Sequence, residues 1–433
     1  MRLPRVMIVL VLLAAPNAAA ETLSWRECVD EAAQANPTIR AAEATVSSAR
    51  YQTKAAYGAF FPQVTGNADY SNGGRSTSSP GTLTPSAGGV LTDNNNSFLS
   101  FSVNARQNVF SGFRDKARIG QGKANETVAR SDLHLARSQA SFDLKSAFAE
   151  LRYAQDFHRL TEDIVKRRRD NSNLVALRFE SGRENKGSLL LSRAYLDDAE
   201  FDRQQAANAI ETSRQELARV LGRENLDEIR VAGTVPVTKP RPLKSYADSL
   251  DGLMDQTPEF RRAAGQKKLA QETVREARSA FFPSLDVNAA VGRQGDQWFP
   301  EDNRWSVGVG LSLPLFSGGT DYHNFKSAKA RDLAAAYNKT GAETQVRARL
   351  VSAHKAFVDA VKRLEADKSF LDAASVRAEI ARSKYDNGLI SFEDWDIIEN
   401  DLINRQKAYL VSQRDRITAE AAWERALGRG VFE

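Results

Sequence analysis

Residues able to do chemistry are sparse along this chain, and they are not spaced to act together. The four histidines, His134, His158, His323 and His354, show no metal spacing such as His-Glu-x-x-His. All four read as surface or packing residues. Gly182 to Ser188 superficially resembles a phosphate-cradling loop, but Lys186 precedes Gly187 and so inverts the Gly-Lys-Ser order required there. Gly308-Val309-Gly310 reads as a place of close packing inside a strand. Cys28 is the sole cysteine, so no internal disulfide can form, and it reads as a small, half-buried helix residue. Lys166-Arg167-Arg168-Arg169 could contact an acidic partner, but such a run reads first as the solvated face of a long helix. Glu393, Asp394 and Asp396 cluster just past Gly388, where acids favour a helix start. No catalytic constellation, metal site or cofactor site emerges, so an enzyme is not expected.

The elements that carry these residues are more informative. Arg2 and Arg5, the apolar run Val6 to Ala15 and the small residues Ala18-Ala19-Ala20 have the layout of a secretory signal over 1–20, cut before Glu21. The net charge of +5 includes the two signal arginines, and acids and bases interleave throughout. A basic face for nucleic acid is therefore not expected. A mean hydropathy of −0.46 excludes a bundle of transmembrane helices, so any membrane crossing must be a β-barrel.

The chain says everything twice. Asn36-Pro37 to Phe60-Phe61-Pro62 recurs as Thr257-Pro258 to Phe281-Phe282-Pro283, 221 positions on. Phe110-Ser111-Gly112, Phe179-Glu180-Ser181-Gly182 and Leu221-Gly222-Arg223 recur 206 positions on, as Phe316-Ser317-Gly318, Tyr385-Asp386-Asn387-Gly388 and Leu427-Gly428-Arg429. The length change falls in Ser71 to Ser97, a polar, glycine-rich loop whose counterpart Gly292 to Trp305 is shorter. The expected organisation is a first repeat over 21–230, an extended proline-bearing connector over 231–245 and a second repeat over 246–433.

Each repeat carries a helix of roughly 65 residues before its glycine tip, about 100 Å long. A seven-residue seam runs Leu144, Leu151, His158, Val165, Ser172, Phe179 and returns as Leu350, Phe357, Leu364, Leu371, Ala378, Tyr385. Such a period supercoils nearly parallel helices. By themselves these helices equally fit a soluble periplasmic coiled-coil scaffold or adaptor. Four alternating runs argue for a membrane instead: strands at about 62–71, 97–109, 283–292 and 304–315, apolar on one side and polar or small on the other. Pro62, Pro283 and Pro314 sit where strand meets helix. Four strands cannot close a barrel, since the smallest bacterial ones have about eight. Three chains pooling strands give the simplest ring.

Taken together, the duplicated Asn-Pro/Thr-Pro helix starts, Phe-Phe-Pro strand entries, Phe-Ser-Gly exits, glycine tips and Leu-Gly-Arg ends resemble the TolC-like outer membrane efflux family over nearly all of the mature chain. The resemblance implies a mostly α chain with a small transmembrane β part: a homotrimer whose 12-stranded β-barrel in the outer-membrane lipid joins an α-helical barrel reaching into the periplasm. It implies a passive exit duct for efflux or type I secretion, docked to an inner-membrane transporter and a periplasmic adaptor. It also implies a belt of short helices at Leu23 to Ala35 and Ser245 to Gln256. Adaptor docking would fall at the tips, at Gly182, Ser188, Gly388 and Ile390. The aperture would be narrowed by Asp394, six residues past Gly388, with Glu393, Asp396 and Tyr385, threefold symmetry making a ring of each carboxylate. Copy one has Ser188 at the acidic position, and Ile390 stands where some members carry arginine.

Overall fold

A computed structural model describes residues 21–74, 95–223, 229–241 and 250–432. The expected signal 1–20, most of the Ser71 to Ser97 loop, the end of the connector and the start of the Ser245 to Gln256 helix lie outside the described residues. The described residues fall into two compact units, one within 1–43, 132–260 and 343–433, the other within 44–131 and 261–342.

The second unit holds a four-stranded antiparallel sheet of β2 (Gln63–Gly74), β3 (Asn95–Ser111), β5 (Ser284–Gly295) and β6 (Asp302–Ser312), ordered β2-β3-β5-β6. Register fixes its faces. One face carries Val64, Ala68 and Tyr70 of β2, Phe101, Val103 and Ala105 of β3, Val287, Ala289 and Val291 of β5, and Trp305, Val307 and Val309 of β6, with Gln107 and Arg293 among them. The alternate positions, Thr65, Asn67, Asn104, Arg106, Asn288 and Ser306, share the other face. Trp305, Val307, Val309 and Leu311 are each at least 69 % exposed, an apolar surface that water alone would not leave open. On the polar face Asp286 binds Arg106 at 3.3 Å and Asn108 at 3.0 Å.

Three details differ from the sequence reading. The run expected around 97–109, the least regular in sequence, is the longest strand, at 17 residues. It gains two neighbours and absorbs its broken alternation in a bulge between Asn108 and Phe110. The last strand stops at Ser312, leaving Leu313, Pro314 and Leu315 outside the ladder. The close packing expected at Gly308 and Gly310 is absent: a Cβ built at either would meet nothing within 4 Å. Their smallness instead keeps the polar face clear.

The same unit contains α2 (Pro37–Ala56) from Ala44 on, α6 (Pro258–Ser279) from Arg261 on, and the first parts of α3 (Arg114–Glu180) and α7 (Thr320–Asp386). Gly122 of α3 lies against Thr53 of α2, and Gly265 of α6 against Val128 of α3, so small residues let these helices approach. Arg118 and Glu276 then join α3 to α6 at 2.8 Å.

In the first unit, β1 (Glu21–Ser24) pairs in parallel with β4 (Ile229–Ala232). The expected helix from Leu23 therefore starts at Trp25, because Ser24 caps α1 (Trp25–Ala35) in a reciprocal box with Glu27. Four-residue strands give too short an alternation to read from sequence. Cys28 is fully buried, not half-buried: α1 packs on Leu144, Phe148 and Leu151 of α3 and on Leu217 and Leu221 of α4 (Lys186–Leu221). That burial pushes its thiol up to about 12. Asn36 opens α2, its side chain receiving the Thr38 and Ile39 amides and donating to the Val220 carbonyl at 2.8 Å. Beyond β4 the chain is extended and held to α8 (Phe392–Ala426): Glu420 accepts from the Thr238 amide and hydroxyl, each at 2.7 Å. A short helix, α5 (Leu250–Met254), buries Leu253 and Met254 against Leu350, Phe357 and Trp423.

The duplication reaches the backbone. The two long helices each have 67 residues, and left-handed glycines recur at Gly112 and Gly318, Gly182 and Gly388, Gly222 and Gly428. No helix among the described residues is long and apolar enough to cross a membrane.

Candidate aperture at the helical tips

Each long helix ends in a left-handed glycine, Gly182 or Gly388, both at φ 72° with open space around them. The amides of Arg183 and Leu389 bond back to Arg178 and Lys384, so each helix closes on its own last turn. The return helices are capped by side chains. Asn185 caps α4 by accepting the Ser188 amide at 2.9 Å, and Ser391 caps α8 by accepting the Asp394 amide at 3.1 Å. The Ser391 hydroxyl donates to the Asp394 carboxylate at 2.7 Å. Asp394 thus serves its own helix start while staying exposed, as does Glu393.

The two tips meet around Tyr385, which is fully buried. Its ring stacks on Trp395 at 4.4 Å and 9°, and the Arg178 guanidinium lies 4.2 Å from its centre. Arg178 also donates to the Tyr385 and Asp386 carbonyls at 2.5 and 3.2 Å, neutralising the C-terminal end of α7. The Tyr385 hydroxyl donates to Glu184 at 3.2 Å. Burial, with the Glu184 charge beside it, pushes the phenol up to about 12. Val175, Leu189 and Phe392 complete this cluster, with Ile390 partly buried on it.

Two to three turns back along α3 lies a second junction that sequence reasoning missed. The run at 166–169 is not a solvated face. Lys166 and Arg169 are exposed, but Arg167 is half-buried and Arg168 is buried. Arg168 meets Asp396 at 3.3 Å, donates to Asn400 and lies 4.5 Å from the Tyr195 ring centre. Asn400 donates to the second Asp396 oxygen at 2.9 Å, and Arg167 meets Glu399 at 3.0 Å. The helices explain the miss: Arg168 falls between the seam positions Val165 and Ser172, and Asp396 follows the buried Trp395. The signal was present in Asp396, Glu399 and Asn400, spaced three and four apart on one face.

The residues expected at the aperture therefore separate. Asp394 and Glu393 face solvent, whereas Tyr385 and Asp396 are committed to side chains of the other repeat. Ser188 is buried under the first tip. Pro62, Pro283 and Pro314 belong to the other unit: Pro62 and Pro283 directly precede β2 and β5, and Pro314 follows β6. Among the described residues no cluster of histidines, cysteines and acids could hold a metal.

Comparison with known proteins agrees with this architecture. The outer membrane efflux protein family matches residues 28–223 and 250–429. The probable outer membrane lipoprotein SilC of Salmonella typhimurium is 25 % identical over 94 % of this chain and 86 % of its own length. The toluene efflux pump outer membrane protein TtgI of Pseudomonas putida is 25 % identical over 54 % of this chain, a match spanning about half, 53 %, of that relative. The outer membrane protein VceC of Vibrio cholerae superposes with a TM-score of 0.81 at 20 % identity, covering 94 % of this chain and 97 % of VceC. A duplicated, mostly helical chain with four two-faced strands and a family match across both repeats belongs to the outer membrane efflux protein family, whose members are outer-membrane channels and not enzymes.

Proposed function

We propose that this protein is the passive, homotrimeric exit duct of an efflux or type I secretion system. In this reading three chains pool their sheets into a 12-stranded barrel in the outer membrane, and the long helices form a periplasmic tunnel. One observation carries the reading: the four-stranded sheet has one apolar and one polar face, yet β2 and β6 each have a single neighbour. A bilayer tolerates no open edge, so identical neighbours must supply the missing pairings.

The tips act as the aperture in this reading. Asp394 and Glu393 are the carboxylates free to form threefold rings, which would favour cations and repel anions. Asp396 and Tyr385 act as struts that hold the two hairpins of one chain together. Gly182, Ser188, Gly388 and Ile390 lie where a periplasmic adaptor would dock, with an inner-membrane transporter beyond it. The exposed Leu389, 72 % accessible beside Gly388, suits such a contact. SilC and TtgI are named for the outer membrane and, in TtgI, for toluene efflux; an apolar cargo is a proposal for this chain.

The test is oligomeric state and conductance. Full-length protein in detergent should run as a trimer by native mass spectrometry and give cation-selective channels in planar bilayers. A monomer, or a trimer without conductance, would refute the duct.

A further inference from the structure

At the foot of the sheet, between α3 and α6, lies a cavity of about 580 Å³ that the aperture and the barrel do not use. Lys116, Lys123, Arg275 and Arg278 line it beside a single acid, Glu272. Glu272 is buried and paired to Arg275 at 2.7 Å. Lys116, Lys123 and Arg278 meet no carboxylate among the described residues, and the last two only approach the rings of Tyr57 and Phe282. Three unneutralised cations around one pocket call for an anion.

The side of the sheet on which the pocket opens identifies the anion. Phe110 aligns with Leu285 and so belongs to the apolar face. Its ring packs edge-on against Phe113 at 5.3 Å, and Phe113 packs against Phe282 at 6.0 Å. These rings lead from the apolar surface into the basic cavity. Phe113 is held at φ 71°, where copy two has Gly319 at φ 83°. A bulky residue in the left-handed region costs roughly 1–3 kcal/mol, yet Phe113 stands here 58 % exposed at the cavity rim.

We propose that this cavity binds the phosphate of a membrane glycerophospholipid, with the acyl chains lying on the apolar sheet face past Phe110 and Phe113. The proposal rests on that face lying in the bilayer. Lys116 and Arg278 hold the phosphate, Lys123 and Arg275 flank it, and Phe113 and Phe282 pack on the glycerol and first methylenes. Copy two has Tyr322 at the position of Lys116, so the site occurs once per chain.

Full-length protein in detergent micelles, titrated with dioleoyl-phosphatidylglycerol and read by native mass spectrometry, tests this directly. Wild type should retain one lipid per chain, and Lys116→Gln/Arg278→Gln should bind roughly thirtyfold more weakly, two bases being removed. Lys355→Gln/Lys362→Gln, equal in charge but on the exposed middle of α7, should bind as wild type. Dioleoylglycerol, which lacks the phosphate, should not be retained. Equal retention by the Lys116/Arg278 variant, equal retention of dioleoylglycerol, or displacement by millimolar inorganic phosphate would each overturn the site. Membrane flotation of the variants, unchanged if the barrel assembles, separates failure of this site from failure of the duct.

Discussion

Arg168 and Asp396 offer the sharpest test of how the tips are held. The two side chains are 7 % and 11 % exposed, so neither charge can return to water when its partner is deleted. Arg168→Ala leaves Asp396 buried with one amide donor, Asn400, and should weaken the local structure by roughly 3–5 kcal/mol. At about 3 kcal/mol the open fraction of the tip rises more than a hundredfold. Asp396→Asn should cost less, because the amide oxygen still accepts from the guanidinium and Tyr195 still covers it. Arg168→Met with Asp396→Leu removes both charges and fills the space, which should be near neutral or stabilising. The assay is backbone hydrogen exchange over Trp395–Ile403 in the full-length protein. Protection should collapse in Arg168→Ala, fall partly in Asp396→Asn and return in the apolar pair. Should Arg168→Ala keep protection within about threefold of wild type, the ion pair is a solvated contact and the strut does not exist.

Asp394→Ala, unlike any change at Asp396, should lower cation selectivity in single-channel recordings at a stability cost near 1 kcal/mol, since its amide can still bond to Ser391. Tyr385 is raised from 10 to about 12 by burial and Glu184, so its contribution is complete below pH 10 and lost as pH rises towards 12. The denaturant midpoint of the tips should therefore fall over that window in wild type, and Tyr385→Phe should remove the pH step. Gly428→Ala should melt well below wild type, because its Cβ would lie 2.0 Å from Pro258. Gly388→Ala shares a left-handed φ but meets nothing within 4 Å, so only backbone strain, about 1 kcal/mol, should appear in its melting curve. Val309→Arg should reduce recovery in outer-membrane fractions by roughly 2–4 kcal/mol of lost insertion, whereas Ser306→Arg on the polar face should not.

Much of the architecture was legible because it rests on periodicity. The seven-residue seam at Leu144, Leu151 and Val165 places three buried residues on α3, and Leu350, Phe357 and Tyr385 do the same on α7. The alternation at Val307, Val309 and Leu311 gives a true face because that strand is regular over its length. Features set by tertiary context were not legible. Gln155, with its amide reoriented, reaches both the amide and the carbonyl of Val231 at 3.1 and 3.0 Å, sealing the outer edge of β4. Nothing in a glutamine's sequence position announces that role. Arg168 was misread for a related reason: a run of like charges is uniform in sequence, while helix rotation puts successive members on different faces.

The second tip is not a copy of the first, and the difference follows from the chemistry of the latch. Arg168 and Arg178 have Ala374 and Lys384 at the equivalent positions of the other repeat, while Tyr385 and Asp396 have Phe179 and Leu190. One hairpin therefore supplies the cations, and the other supplies the carboxylate, the aromatic ring and the carbonyl end that receive them. A local twofold between identical hairpins would repeat the Arg168–Asp396 pair at positions 374 and 190, but Ala374 and Leu190 stand there, so the latch is made once. Duplication gives the matched helix lengths and the matched glycine turns, because those depend on backbone conformation alone. The latch depends instead on which side chains stand at one depth, and that is where the two repeats diverge.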